Sequence, residues 1–194
     1  INTYSLGETI MPISKINLTS GIAGVLPSAN ATYSTSRKNT QPLIINGDMA
    51  VAQRNTGTVA QADGSNEGYA TVDRMQTTFG NSAGGTITTS RDTTAPTGFG
   101  QSMKFDVTSA DTSVDSTHIV YTEHTLEAQT IRNSGWDYTS SSSYLTLSFQ
   151  IRSSKTGTYC VYLQTNDGTA YQYTQEYTIS SANTWEQKVL TFPG

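Results

Sequence analysis

The chain has 194 residues, of which 35% are hydrophobic and only 13% charged, and its 11 basic and 15 acidic side chains give a net charge of −4. That length supports one domain with its own core plus a tail, while the lack of any Lys or Arg run removes the long-range attraction that nucleic acid or an anionic membrane surface requires. No apolar run approaches the ~20 residues of a bilayer span, and the single cysteine, Cys160, rules out an intrachain disulfide, so the fold must be stable on packing alone.

The first stretch, 1 to 40, differs from the rest. Ile10, Ile13, Ile16, Leu18, Ile22, Val25 and Leu26 recur without a sustained helical or strand period and are broken by Pro12, Gly21, Gly24 and Pro27. Such a segment cannot bury these side chains against itself. They are candidate docking residues for the following domain, a second copy of the chain or a larger partner; a disordered leader is the competing reading. Ser34 to Thr40 reads as a polar linker, which sets the expected boundary between an extended attachment segment, 1–40, and a domain, 41–194.

Within the domain, Pro42-Leu43-Ile44-Ile45 reads as a short strand ended by the turn signal Asn46-Gly47-Asp48. Asn55 to Gly68 has little apolar content and reads as a surface loop. Tyr69 to Phe79 restores strand character, Gly80 to Gly85 turns the chain, and Thr86 to Arg91 is a candidate edge strand with few apolar anchors. Further on, Met103, Phe105 and Val107 alternate to one side, and His118 to His124 reads as a strand followed by a turn or short helix.

The clearest pattern lies at the end. Leu145, Leu147, Phe149 and Ile151 alternate with polar residues, Tyr159, Val161 and Leu163 resume the alternation, and Asn166-Asp167-Gly168 supplies a hairpin turn. Tyr171, Tyr173, Gln175, Tyr177 and Ile179 then share a face, and Leu190 pairs with Phe192. Read together, these runs form a meander of short strands, and the turn spacing of the whole domain predicts an all-β fold of antiparallel sheets, a β-sandwich or jelly roll. The chain begins at Ile1-Asn2 without an initiator Met and stops at Pro193-Gly194 just past a strand. A fragment of a longer polypeptide, truncated at the C-terminus, is therefore expected.

Chemistry is sparse. His118 and His124 are ~20 Å apart at strand rise, so they cannot share a metal, and each is read as a satisfied polar residue. Asp111 with Asp115 and Asp63 with Glu67 sit in Ser/Thr-rich sequence and read as solvated rather than as a glycosidase pair. Asn46, Asp48 and Asp73 are suitable oxygen donors for calcium, but a turn Asn and a strand-end Asp account for them equally well, so no metal or cofactor is assigned. Cys160 matches no redox spacing and reads as a sheltered thiol. No enzyme is indicated. The aromatics are the best binding signal: Trp136, Tyr138 and Trp185, with Tyr162, Tyr171 and Tyr173, could stack on sugar rings beside hydrogen-bonding Asn, Gln and Asp. Core packing is the competing account of each.

The segments Pro42 to Arg54, Gly68 to Arg74, Ala95 to Lys104 and Thr184 to Gly194, in that order, resemble a module of bacteriophage tail fibres and related virion proteins, one similar to carbohydrate-binding jelly rolls. Upstream, Ser20 to Asn30 is similar to a short element of tail-fibre stalks; Met75 stands where the family often has tryptophan. The resemblance implies a homotrimeric appendage located in the virion. Its N-terminal part would attach to other tail proteins, whether tail tube, adaptor or baseplate, and it would support adhesion to a host-surface glycan. A glycan-binding module acting directly as the receptor-binding protein is the first alternative, and a polysaccharide depolymerase tailspike the second.

Overall fold

The computed structural model describes residues 42–62, 68–80 and 85–194. The candidate docking residues Ile10, Ile13, Ile16, Leu18, Ile22, Val25 and Leu26, the Asp63/Glu67 pair and most of the turn after Gly80 lie outside the described residues. The elements are β1 (Val59–Ala62), β2 (Gln76–Gly80), β3 (Thr86–Asp92), β4 (Ser102–Ser109), β5 (Ile119–Glu123), α1 (Ala128–Ser134), β6 (Tyr144–Ile151), β7 (Gly157–Gln164), β8 (Gln172–Ile179) and β9 (Glu186–Pro193). Every strand pairing is antiparallel, so the all-β expectation holds at that level. Among the described residues no helix is long and apolar enough to cross a membrane.

The first half builds two sheets, β1-β3-β4 and β2-β5. β3 was expected at an edge and is central instead, with Ile87 and Thr89 buried on one face. Threonine explains the difference: a small β-branched side chain fills a core position without announcing itself as apolar. β1 emerges from the stretch expected to be loop, pairing Val59–Ala62 with Thr86 to Thr89. Its inward residue is Gln61, 1% exposed, so no hydrophobic period marks it. The opposite correction applies upstream, where 42–45 forms turns rather than a strand, and the strand expected from Tyr69 begins only at Gln76. Asn46, Met49 and Arg74 take positive φ of 60°, 57° and 70°, and left-handed residues interrupt the pleat. Outer strand β4 leaves Phe105 and Val107 39% and 66% exposed, so the face that Met103 shares with them is largely uncovered.

The second half is not a meander. β6 pairs along its full length with β9, from Tyr144↔Pro193 to Ile151↔Glu186, and β7 pairs with β8, from Gly157↔Ile179 to Gln164↔Gln172. One hairpin is thus nested inside another. At the start of the inner hairpin, Gly157 at φ 143° takes a conformation closed to most side chains. Asn183 N–H donates to Ser153 O at 2.7 Å and Arg152 Nε to Asn183 O at 2.9 Å, tying the outgoing crossover to the returning one. The two pairs meet through rings: Phe149 and Tyr173 stand edge-on to Tyr177 and Phe192, with centroids 5.2 and 5.9 Å apart, respectively. Ile179, Leu190 and Phe192 itself are buried, each contributing roughly 1.5–3 kcal/mol by burial. Tyr121 of β5 against Tyr162 of β7, 5.9 Å apart, joins the halves.

Candidate functional site

The two non-strand segments, 42–54 and 69–74, are laced into one unit by side chains. Asn46 Nδ2 donates to Val51 O at 2.9 Å and to Asp73 O at 2.8 Å, while Asn46 Oδ1 accepts the Val51 N–H at 2.9 Å. Asp73 N–H donates to Val51 O at 3.0 Å, and Asp73 Oδ1 accepts from Gln53 N–H at 3.2 Å. The oxygens that suit calcium therefore hold the backbone together. Among the described residues no three His, Cys, Asp or Glu side chains gather to hold a metal.

His124, just beyond β5, locks this unit from below. Its Nε2 accepts the Ile45 N–H at 3.3 Å, which fixes the tautomer so that Nδ1–H donates to Arg74 O at 3.0 Å. Burial, chiefly, pushes the imidazole below its ordinary value, and the Arg74 charge pushes the same way. Arg91 adds a third tie, donating to Ala50 O at 2.6 Å.

On this platform lies an open depression of about 380 Å³ lined by Gln53, Arg54, Tyr69, Asp73 and Arg74. The Arg54 guanidinium sits 5.5 Å from the centroid of the Tyr69 ring, a cation–π arrangement, and has no hydrogen-bond or ion-pair partner among the described residues. Arg74 Nη2 meets Glu127 Oε1 at 3.0 Å with both side chains well exposed, so solvent screens the pair and leaves the guanidinium's other donors for use. Planar forks of this kind recognise carboxylates and phosphates in bidentate fashion. All five lining residues fall within Pro42 to Arg54 and Gly68 to Arg74, two of the four segments on which the sequence resemblance rests. The sequence reading weighed Asp73 only as a calcium ligand and the others not at all; their place in those segments was the available signal.

The aromatic residues named from sequence do not converge. Tyr138 is 75% exposed, whereas Trp136 is half-buried, with its indole N–H turned inward and without a partner among the described residues. Both lie near the Tyr144 end of β6, where Gly194 N–H donates to Ser143 O at 2.8 Å. Half-buried Trp185 precedes Glu186, which pairs with Ile151 at the other end, about 24 Å away over seven strand steps. Tyr162 packs on Tyr121, its hydroxyl pushed up to about 12 by burial and by that neighbour. Tyr173 packs on Phe192, and Tyr171 is 71% exposed.

The acidic residues around the strands are turn devices. In Asp92-Thr93-Thr94, Asp115-Ser116-Thr117 and Asp137-Tyr138-Thr139 the carboxylate accepts the N–H of the threonine two residues on, at 2.6, 2.7 and 2.9 Å. Those threonines hold all three carboxyls below the usual range, mainly by the backbone bond at Asp92 and by the hydroxyl at the other two. Asp111 departs from the solvated reading: it is 13% exposed in its side chain and lies 2.5 Å from His118 Nδ1, while His118 Nε2 is 3.3 Å from Asp115. Each ring nitrogen of His118 thus faces a carboxylate, and both histidines have polar partners, as expected. Cys160 is exposed rather than sheltered, because the β7 alternation turns Tyr159 and Val161 inward and the thiol out.

No family model, curated protein or solved structure matches this chain.

Proposed function

We propose that the chain is part of a bacteriophage tail fibre, in which a β-sandwich of jelly-roll type follows an N-terminal attachment strap and supports adhesion to the host surface. In this reading the protein is a non-enzymatic component of the virion. It assembles as a homotrimer and docks on other tail proteins through residues 1–40. Nested hairpins of the β6–β9 and β7–β8 kind are the strand order that rolling a long hairpin into two layers produces, which supports the jelly-roll form. The observation that carries the functional reading is the interlock of 42–54 with 69–74. Two separate stretches that resemble the same tail-fibre module meet as one hydrogen-bonded unit, as a shared module should.

The mass of the chain in solution tests the assembly. A trimer that persists at micromolar concentration is expected; a monomer overturns the tail-fibre reading. The depression between Arg54 and Arg74 also favours a second reading, direct glycan recognition by this domain. Immobilised bacterial polysaccharides should then retain the protein without releasing oligosaccharides, and release across several polysaccharides would instead make it a depolymerase.

A further inference from the structure

We propose that the depression lined by Gln53, Arg54, Tyr69, Asp73 and Arg74 binds a sugar bearing a carboxylate, with Arg54 as the principal anion contact. This deepens the glycan-recognition reading and rests on it.

Arg54 carries the argument. A surface guanidinium normally either trails in water or pairs with a neighbouring acid, but this one is held over the Tyr69 ring at 5.5 Å while its donors remain unused. The cation–π contact restrains the guanidinium before a ligand arrives, which lowers the side-chain entropy lost on binding. Asn46 and His124 fix the backbone on either side: Asn46 bonds Asp73 O and His124 bonds Arg74 O. The two arginines therefore project from a braced platform rather than from a free loop.

The charge balance selects the anion. Two guanidiniums against the single lining carboxylate of Asp73 leave one net positive charge within the lining, which calls for an anion such as a uronate. Asp73 and the Gln53 side-chain amide supply the acceptor and donor that ring hydroxyls need, and the acceptor-only Asp73 carboxylate has no use for a bare inorganic anion. Glu127 opposes binding, because it occupies Arg74 Nη2 from outside the lining.

The test is an NMR titration of the whole chain, reading the arginine side-chain and tyrosine ring signals, with glucuronate, glucose, acetate and inorganic phosphate as separate probes. Saturable shifts at Arg54, Tyr69 and Arg74 are expected with glucuronate, at about tenfold lower concentration than with acetate, and no saturable shifts with glucose. Arg54→Gln should weaken glucuronate binding at least tenfold with unchanged melting, and Glu127→Gln should tighten it several-fold. Equal affinity for acetate or phosphate would make this an ion site and overturn the proposal, as would saturation by glucose or silence with glucuronate. A trimer that ignores glucuronate would leave the tail-fibre reading standing while this inference fails, and a monomer that binds it would do the reverse.

Discussion

Two regions of the domain are held together in opposite ways. The 42–54/69–74 platform has little apolar burial beyond Ala52 and Val72 and depends on a handful of side-chain-to-backbone bonds centred on Asn46. The nested hairpins of 144–193 spread their cohesion over rings and aliphatic side chains from all four strands. Directional bonds place atoms accurately but fail singly, whereas packing tolerates local loss yet positions nothing finely. The binding depression lies on the directional platform. That is where a site whose guanidiniums must hold a fixed geometry is best built.

The largest effect should come from the packed region. Phe192 is 4% exposed and meets Tyr173 edge-on, so Phe192→Ala should cost about 3–5 kcal/mol. The midpoint of urea unfolding would measure it, and a loss under about 1 kcal/mol would mean that the rings do not form a shared core. Asn46→Ala should come next. It removes three hydrogen bonds at once and puts alanine at φ 60°, for roughly 2–3 kcal/mol. Its signature is local: amide exchange should accelerate at Val51 and Asp73 while the amides of β6 and β9 stay protected. Uniform acceleration would show that the two regions open together and the contrast between them is false.

The contrast also explains which parts could be read in the sequence. Alternation of Leu145, Leu147, Phe149 and Ile151, of Gln175, Tyr177 and Ile179, and of Leu190 and Phe192 is a direct print of half-buried strands, and those strands came out in place. Pairing did not, because a period of two says which face is buried but not which neighbour lies alongside. β1 escaped, and β3 was placed at an edge rather than at the centre, because Gln61 and Thr89 occupy core positions where leucine or valine would have been recognised. The platform escaped for a different reason. Its order comes from Asn46 and His124 reaching partners 27 and 79 residues away, and no local pattern encodes a bond of that span. Trp136, Tyr138 and Trp185 attracted attention as aromatics, yet the strand pair between them keeps them apart, while Tyr69 became part of the depression by holding an arginine.

Acid should separate the regions by a third route. The folded-state value of His124 lies below the ordinary 6.5 because of burial, so between those values the unfolded chain holds more protons than the folded one. Stability therefore rises with pH across that window; the contribution is complete above the unfolded value and is lost as pH falls through the folded one. A second proton would have to sit on Nε2, facing the Ile45 N–H that now donates to it. Exchange protection at Ile45 should fall on going from neutral to mildly acidic solution, ahead of any change in β6 to β9. His124→Gln should flatten that dependence. The carboxylates of Asp92 and Glu186, also held low by hydrogen bonds and neighbouring cations, act only further down, below their ordinary 3.8 and 4.5.

The smallest effect should be at Glu127, and it is the most diagnostic of what the platform is for. The Arg74–Glu127 pair is 40% and 60% exposed in its side chains, so Glu127→Gln should change stability by no more than about 0.5 kcal/mol, and by less as salt is raised. Had the pair served to hold the platform, removing it would loosen the Arg74 backbone and speed exchange at Asp73. Because Asn46 and His124 already hold the Asp73 and Arg74 carbonyls, exchange there should not change. What should change is the charge presented to the depression, with Arg74 released from its only ion-pair partner among the described residues. A substitution that leaves melting and exchange where they were but alters anion affinity would assign Glu127 to tuning the site rather than to building it.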